Sequence, residues 1–380
     1  MQNYLNIIPR IQKFLVVFFL LIFSCTKLYS QYESKRDSSL TFEFSFIGDL
    51  VNNFHGGKKT GITYLGFANV KTGFNTQKAN WWNGGLFNLN IGNTHGGEPS
   101  ANLVGDFQGV SNIEAGNHTF IYELWYKQNI GNVDFTVGLQ DLNANFAASK
   151  NGALFTNSSF GIQSSISDNI SIPVFPLTAL GVNLNWKIAE DFNFKFAIFD
   201  GTPDDFKTNP FNINWKLSKA QGYLSVAEFQ SNKSILKNQN ASYKFGVYFH
   251  EHNDTVAVEH HNGGFYFIVD QQISNKISLF SQVGFSPKSI NLHNHYFSLG
   301  ANYRGIIKNR PEDQFGLAFA YAGIDDNIIG SETAIELTYL YQITKKYYLR
   351  PDIQYIINPA GTNIQLENAV VGFIRFGVNF

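Results

Sequence analysis

Glu123, Trp125 and Lys127 stand two residues apart in the run Tyr122-Glu123-Leu124-Trp125-Tyr126-Lys127. On an extended chain successive side chains point to opposite sides. This spacing therefore puts a carboxylate, an indole and an ammonium on one face, with Tyr122, Leu124 and Tyr126 on the other. A carboxylate accepts from hydroxyls, an ammonium donates to them, and an indole stacks on the apolar face of a sugar ring. That is chemistry for holding a polyhydroxylated solute, not for breaking a bond. The same residues could instead form an ion pair that braces a polar wall, and the spacing alone does not choose. Further along, Gln140, Asp141, Asn143, Asn145, Asn157 and Ser158 supply more donors and acceptors. Phe146, Phe155 and Phe160 punctuate that stretch, and anchoring a folded segment is the role expected of them, with an aromatic slide as the alternative.

Catalysis finds less support. Histidines gather as His250-Glu251-His252, His260-His261 and His293-Asn294-His295, and His-x-His on a strand turns both rings to one side as a metal site would. All fall near the ends of extended segments, where solvated histidines are expected, as are solvated charges at Asp204-Asp205 and Asp325-Asp326. Phe155-Thr156-Asn157-Ser158-Ser159-Phe160-Gly161 has serines but lacks the G-x-S-x-G context of a hydrolase nucleophile. One Cys in 380 residues excludes a disulfide framework and a Cys-based metal centre. No catalytic residue, metal or cofactor is expected. The 28 Lys+Arg and 29 Asp+Glu leave a net charge of −1, which offers nucleic acid no basic face.

The elements that must carry these residues are extended. Charged residues are 15% of the chain, against about 25% in ordinary soluble domains, and aromatics reach 16% with 37 Phe and 18 Tyr. Arg10 and Lys13 precede the apolar run Phe14 to Phe23, which is too short to span a bilayer by a helix of about 20 residues. It reads as a signal peptide over 1–30 cut after Ser30, with lipidation at Cys25 as the alternative. Residues 31–380 then form one domain. Period-two alternation dominates it: Leu40, Phe42, Phe44 and Phe46 alternate with polar residues, as do Phe87, Leu89 and Ile91, and Val182, Leu184, Trp186 and Ile188. One face is rich in Phe, Tyr and Trp, the other in Asn, Gly, Thr and Ser. This matches a transmembrane antiparallel β-barrel, whose outside is apolar and whose interior is polar.

Sixteen such segments can be placed: 40–50, 61–71, 82–92, 119–129, 132–140, 180–188, 191–199, 221–230, 242–250, 263–271, 276–285, 295–304, 313–322, 332–343, 346–355 and 369–380. Connections after odd-numbered segments are often long (93–118, 141–179, 200–220, 356–368), whereas several after even-numbered ones are tiny (130–131, 189–190, 272–275, 344–345). Outer-membrane barrels have short periplasmic turns and longer extracellular loops, so both termini should be periplasmic. The longest connection, 141–179, is expected to fold inward and narrow a channel that sixteen strands would leave open. Ile374, Phe376, Val378 and Phe380 alternate to the last residue, a pattern similar to the terminal signal read by the outer-membrane assembly machinery.

Glu123-Leu124-Trp125-Tyr126-Lys127-Gln128, followed by Gly138-Leu139-Gln140-Asp141-Leu142-Asn143-Ala144-Asn145-Phe146, resembles the carbohydrate-selective porins of the OprB type. Leu154 to Gly161, Phe199-Asp200-Gly201-Thr202-Pro203, and Arg350-Pro351-Asp352-Ile353-Gln354-Tyr355 with Asn358-Pro359 extend the resemblance from about residue 61 to the end. It implies a 16-stranded outer-membrane porin of a Gram-negative bacterium, passing monosaccharides and related small neutral solutes by facilitated diffusion. The partners are then carbohydrate solutes, outer-membrane lipids and the assembly machinery, with no nucleic acid. Members often carry a basic residue where this chain has Leu139, so a lumen-charge pattern does not transfer. A general diffusion porin and an adhesion or structural barrel are the alternatives. Glu123, Trp125, Lys127, Gln140, Asp141, Asn143, Asn157 and Ser158 are the expected solute path.

Overall fold

The computed structural model describes residues 38–253, 259–324 and 330–380. The segment expected to be a signal peptide, with Cys25, and Asp325-Asp326 lie outside the described residues. The first eight strands are β1 Leu40–Gly57, β2 Gly61–Asn75, β3 Gly85–Gly96, β4 His118–Ile130, β5 Val133–Gln140, β6 Ala179–Ala189, β7 Phe192–Asp200 and β8 Tyr223–Ser231. The second eight are β9 Ala241–Asn253, β10 Glu259–Gln272, β11 Ile277–Phe285, β12 His293–Arg304, β13 Gln314–Ile324, β14 Ser331–Gln342, β15 Tyr347–Ile357 and β16 Glu367–Asn379. Each pairs antiparallel with its sequence neighbours, and β1 pairs with β16 to close the barrel. Closure leaves no exposed sheet edge. All sixteen alternating segments are strands, and both ends of the barrel sequence lie at the short-turn end.

The alternation sorts the two faces as expected. Phe42, Phe196, Phe267, Leu299 and Ile374 are exposed on the outside, while Asp49, Glu228, Ser298, Glu336 and Gln354 are fully buried on the inside. At the closing seam Asp49 and Arg375 are cross-strand partners. Arg375 donates to both carboxylate oxygens of Asp49, at 2.6 and 2.7 Å, and the Ser111 hydroxyl adds a third donor at 2.8 Å. A bidentate pair suits this dry position because neither charge is left unmatched. At the short-turn end Phe74, Trp81, Trp82, Phe87 and Tyr126 form an aromatic cluster, with Trp82 Nε1 donating to the Tyr126 hydroxyl at 2.9 Å. Trp82 belongs to the turn before β3 rather than to the strand.

Among the register shifts of the barrel, the one on β4 bears on the candidate residues. Asn90 on β3 pairs with Glu123, but Ile91 pairs with Ile121, so Tyr122 has no opposite number. This β-bulge turns Tyr122 into the barrel, where it is 9% exposed. Its expected place on the outer face with Leu124 and Tyr126 is thereby corrected.

Two long connections fold inside the barrel. Val104, Val110 and Ile113 from 97–117 pack with Phe155 and Phe160 from 141–178 against Val51, Ile356, Val371 and Phe373 of the wall. Leu142, Phe146, Ile162 and Ile166 pack against Phe199, Leu224, Tyr248 and Ile268. Phe146, Phe155 and Phe160 are thus anchors: Phe155 and Phe160 lie 5.0 Å apart between ring centroids, and Phe280 of β11 closes the trio.

Candidate functional site

The bulge at Tyr122 leaves Glu123, Trp125 and Lys127 facing inward, opposite the inward Asn90, Asn88 and Leu86 of β3. Trp125 Nε1 donates to Glu123 Oε1 at 3.3 Å, and the Lys127 ammonium lies 6.0 Å from the Trp125 ring centroid. The three side chains form one contiguous unit, and the indole, not the ammonium, is the partner of Glu123. Asn88 Nδ2 and Asn90 Oδ1 beside them, and the Oδ1 atoms of Asn183 and Asn185 on β6, have no hydrogen-bond partner among the described residues. Buried amides with uncommitted groups need a partner, from water or a solute.

The loop residues play a different part. Tyr122 donates its hydroxyl to Asp141, whose other oxygen accepts from the Asn143 backbone at 2.7 Å. Burial pushes the Asp141 carboxyl up to about 6, against the lowering effect of these donors. Asn143 Nδ2 donates to the carbonyls of Phe146 and Gly161, and Gln140 Nε2 to that of Gly181 at 2.9 Å. Asn157 is fully buried. Its Oδ1 accepts from the Ser159 backbone and hydroxyl at 3.1 and 2.8 Å, capping the turn Ser158–Gly161, while its Nδ2 donates to Gln354 Oε1 at 3.2 Å. The Ser158 backbone donates to the Gly109 carbonyl at 2.8 Å, tying the two inward loops together. The eight candidate residues therefore fall into two groups: Glu123, Trp125, Lys127 and Gln140 on wall strands, and Asp141, Asn143, Asn157 and Ser158, which shape the loop 141–178.

Sequence reasoning missed the acids of the far wall. Glu228 on β8 accepts from the Ala147 backbone at 2.9 Å, the Tyr266 hydroxyl at 2.8 Å and the Lys195 ammonium at 3.1 Å. Asp270 on β10 accepts from the Ser149 hydroxyl at 2.7 Å and from the backbones of Lys150 and Asn151 at 3.1 and 2.9 Å. Glu336 on β14 accepts from the backbones of Thr156 and Asn157. Glu332 on the same strand accepts from Phe107, Gln108 and Ala360. Convergent N–H and O–H donors satisfy each buried carboxyl group, which offsets the cost of its burial under the loop. The available signal was the inward phase of these acids within their strands.

Of the histidines, His260, His261 and His295 are exposed as expected, whereas His250 and His293 are not. His250 is buried, its Nε2 donating to the Gly201 carbonyl at 2.6 Å. His293 is fully buried, with Nδ1 donating to the Gly323 carbonyl at 2.8 Å, so its neutral ring accepts the Ser164 hydroxyl at Nε2. Both hold loops to the rim instead of lying in solvent. No group of three or more His, Cys, Asp or Glu that could hold a metal ion occurs among the described residues.

Above Leu124 the β4–β5 pairing stops. The connection 201–222 reaches across to that edge: the Ile121 N–H donates to the Phe211 carbonyl at 3.0 Å, and Asn212 Nδ2 donates to the Ile121 carbonyl at 3.1 Å. Asn212 also donates to Thr178 Oγ1 at 2.9 Å, so one side chain joins β4, its neighbour loop and the root of 141–178.

A closed, lipid-faced, polar-lined barrel narrowed by inward loops is an outer-membrane channel of the porin class. Residues 59–380 match the carbohydrate-selective porin, OprB family, and the chain belongs to that family. Porin B of Pseudomonas aeruginosa is 22% identical over 404 residues, covering 89% of this chain and 87% of the relative. The high-pH structure of Pseudomonas putida OprB superposes with a TM-score of 0.81 at 20% identity, covering 91% of this chain and 95% of that one. The low-pH structure of the same porin gives 0.60 at 17% identity, with 91% and 94% covered. The chain is thus an outer-membrane carbohydrate porin: its activity is passage of solute, not catalysis.

Proposed function

We propose that the chain passes monosaccharides and related small neutral solutes by facilitated diffusion between the inner face of β4 and the loop 141–178. One observation carries this reading. The Trp125 indole sits between a carboxylate and an ammonium, Glu123 and Lys127, next to the uncommitted amide groups of Asn88 and Asn90. A sugar ring presents an apolar face to an indole and hydroxyls to the groups around it. Glu123 accepts from those hydroxyls, Lys127 donates, and Asn88 and Asn90 do either. Asp141, Asn143, Asn157 and Ser158 act by fixing the loop that forms the opposite side, and Gln140 by bracing β5 to β6 at the root of that loop. Contacts must stay weak enough for release, since conduction needs a solute that can leave. On this reading the further partners are outer-membrane lipids around the aromatic outside and the assembly machinery at the strand ending in Phe380.

Sugar flux into liposomes, and sugar-induced block of ion current through single channels, test this. Flux should saturate with sugar concentration, and Trp125→Ala should weaken both saturation and block while ion conductance stays equal or rises. Unsaturable flux would make the chain a general diffusion pore, and absence of flux a structural or adhesive barrel. Leu124→Lys provides the control on the opposite face, where Leu124 is 39% exposed. A charge at mid-membrane there costs roughly 2–4 kcal/mol, so assembly should suffer instead of sugar flux.

A further inference from the structure

A basin of the lumen lies at the short-turn end, a cavity of about 820 Å³ bounded by β8 to β13, the turn before β7 and residues of the loop 141–178. Its charged lining is one-sided. Lys150, Lys244, Lys276 and Arg304 face it, against Asp191 and Asp270. Asp270 is already engaged by the Ser149 hydroxyl and two backbone N–H groups. Lys244 donates to the Ala148 carbonyl and Arg304 pairs with Glu312, which leaves Lys150 and Lys276 as the lining cations whose ammonium groups have no hydrogen-bond or ion-pair partner among the described residues. Lys150 is presented by the loop, since its own backbone N–H is held by Asp270, and Lys276 by the β10–β11 turn. The rest of the lining is mostly amide and hydroxyl, with Asn151, Gln230 and Ser242 among its members. On β1, β2 and β4, by contrast, acids stand beside bases: Glu43 faces Lys71 across the β1–β2 register, and Glu123 shares its face with Lys127.

A cationic, amide-rich basin with low-dielectric walls concentrates anions that carry many hydroxyls. We propose that it is a second solute site for sugar acids, the monocarboxylated monosaccharides, with Lys150 and Lys276 receiving the carboxylate and the surrounding amides the hydroxyls. This rests on the reading of the chain as a sugar channel and adds a charge preference to it.

Reversal potentials across a potassium chloride gradient, together with liposome flux of glucose, gluconate and glucosamine, test it on the full chain. Chloride should carry more current than potassium, and gluconate should enter faster than glucosamine. The double variant Lys150→Gln, Lys276→Gln should lower the gluconate-to-glucosamine ratio roughly tenfold, as loss of two nearby cations predicts, and leave glucose flux unchanged. Native electrophoretic mobility of the unheated variant checks that it has folded; if the pair does not assemble, the single Lys276→Gln at the turn should shift the ratio in the same direction. Cation selectivity in the wild type, or an unaltered ratio in a folded variant, overturns the sugar-acid site while saturable glucose flux still upholds the sugar channel. Loss of saturable glucose flux in the wild type instead fells the underlying reading.

Discussion

The carboxylate of Glu336 on β14 receives the backbone N–H of Asn157 at 2.9 Å, from a residue 179 positions earlier in the chain. Thr156 donates to the same carboxylate through both its backbone and its hydroxyl. A single wall acid thus seats the loop at the turn that Asn157 itself caps. With Glu228 and Asp270 it makes a row of hydrogen-bond acceptors, on three strands, along which the loop lays successive N–H groups.

Glu336→Gln should loosen that seat. The new amide presents N–H groups to N–H groups, and losing charge-assisted hydrogen bonds of this kind costs roughly 3 kcal/mol. The barrel should still assemble, as judged by mobility of the unheated protein. Single-channel conductance should rise, and protease should cut within 141–178 where it does not cut the parent. Unchanged conductance with a protected loop would show that Glu336 is dispensable for the constriction.

Deleting Phe380 should impair assembly. Its backbone exchanges two hydrogen bonds with Phe44 across the seam, at 3.1 and 2.8 Å, and its ring packs near those of Phe44 and Tyr347. The amount of heat-modifiable protein in the outer membrane measures this. A truncated chain that accumulates at the parental level would remove both the seam argument and the proposed recruitment by the assembly machinery.

The inward loop 97–117 should lose stability as pH rises through the mildly acid range. Burial pushes the Asp106 carboxyl up from its ordinary 3.8 to about 6. A raised acid favours the folded state only while protonated, so no penalty exists below about 4, and it is complete above about 6. The full effect is on the order of 3 kcal/mol. Protease sensitivity of 97–117 should therefore increase between these limits, and Asp106→Asn should reduce the dependence, leaving the part carried by Glu114, which burial pushes up to about 7. A parental profile that is already flat contradicts it.

The short turns should face the periplasm. Cysteine placed at Glu190, in the β6–β7 turn, should resist an impermeant reagent added to intact cells, and cysteine at Asp205, in the connection 201–222, should react. The only native cysteine, Cys25, lies in the segment expected to be removed. The opposite labelling pattern would invert the barrel.

The barrel was legible in the sequence because alternation is a local property. Leu40, Phe42 and Phe44 face out wherever their strand goes, since side chains of an extended chain alternate and lipid on one side with a wet lumen on the other selects opposite residue types. Sixteen repeats and the parity of their connections then settle the topology, and the period-two spacing of Glu123, Trp125 and Lys127 already placed them on one face. Other features belong to tertiary structure. The bulge that turns Tyr122 inward is a one-residue slip in the register with β3, invisible in a run where Tyr122, Leu124 and Tyr126 all look lipid-facing. That Glu228, Asp270 and Glu336 seat a loop, and that His250 and His293 are buried at the rim, depends on contacts between residues tens to hundreds of positions apart. Residue type announces that an inward acid needs donors, but which backbone supplies them is decided only when the closed barrel brings the loop against its wall.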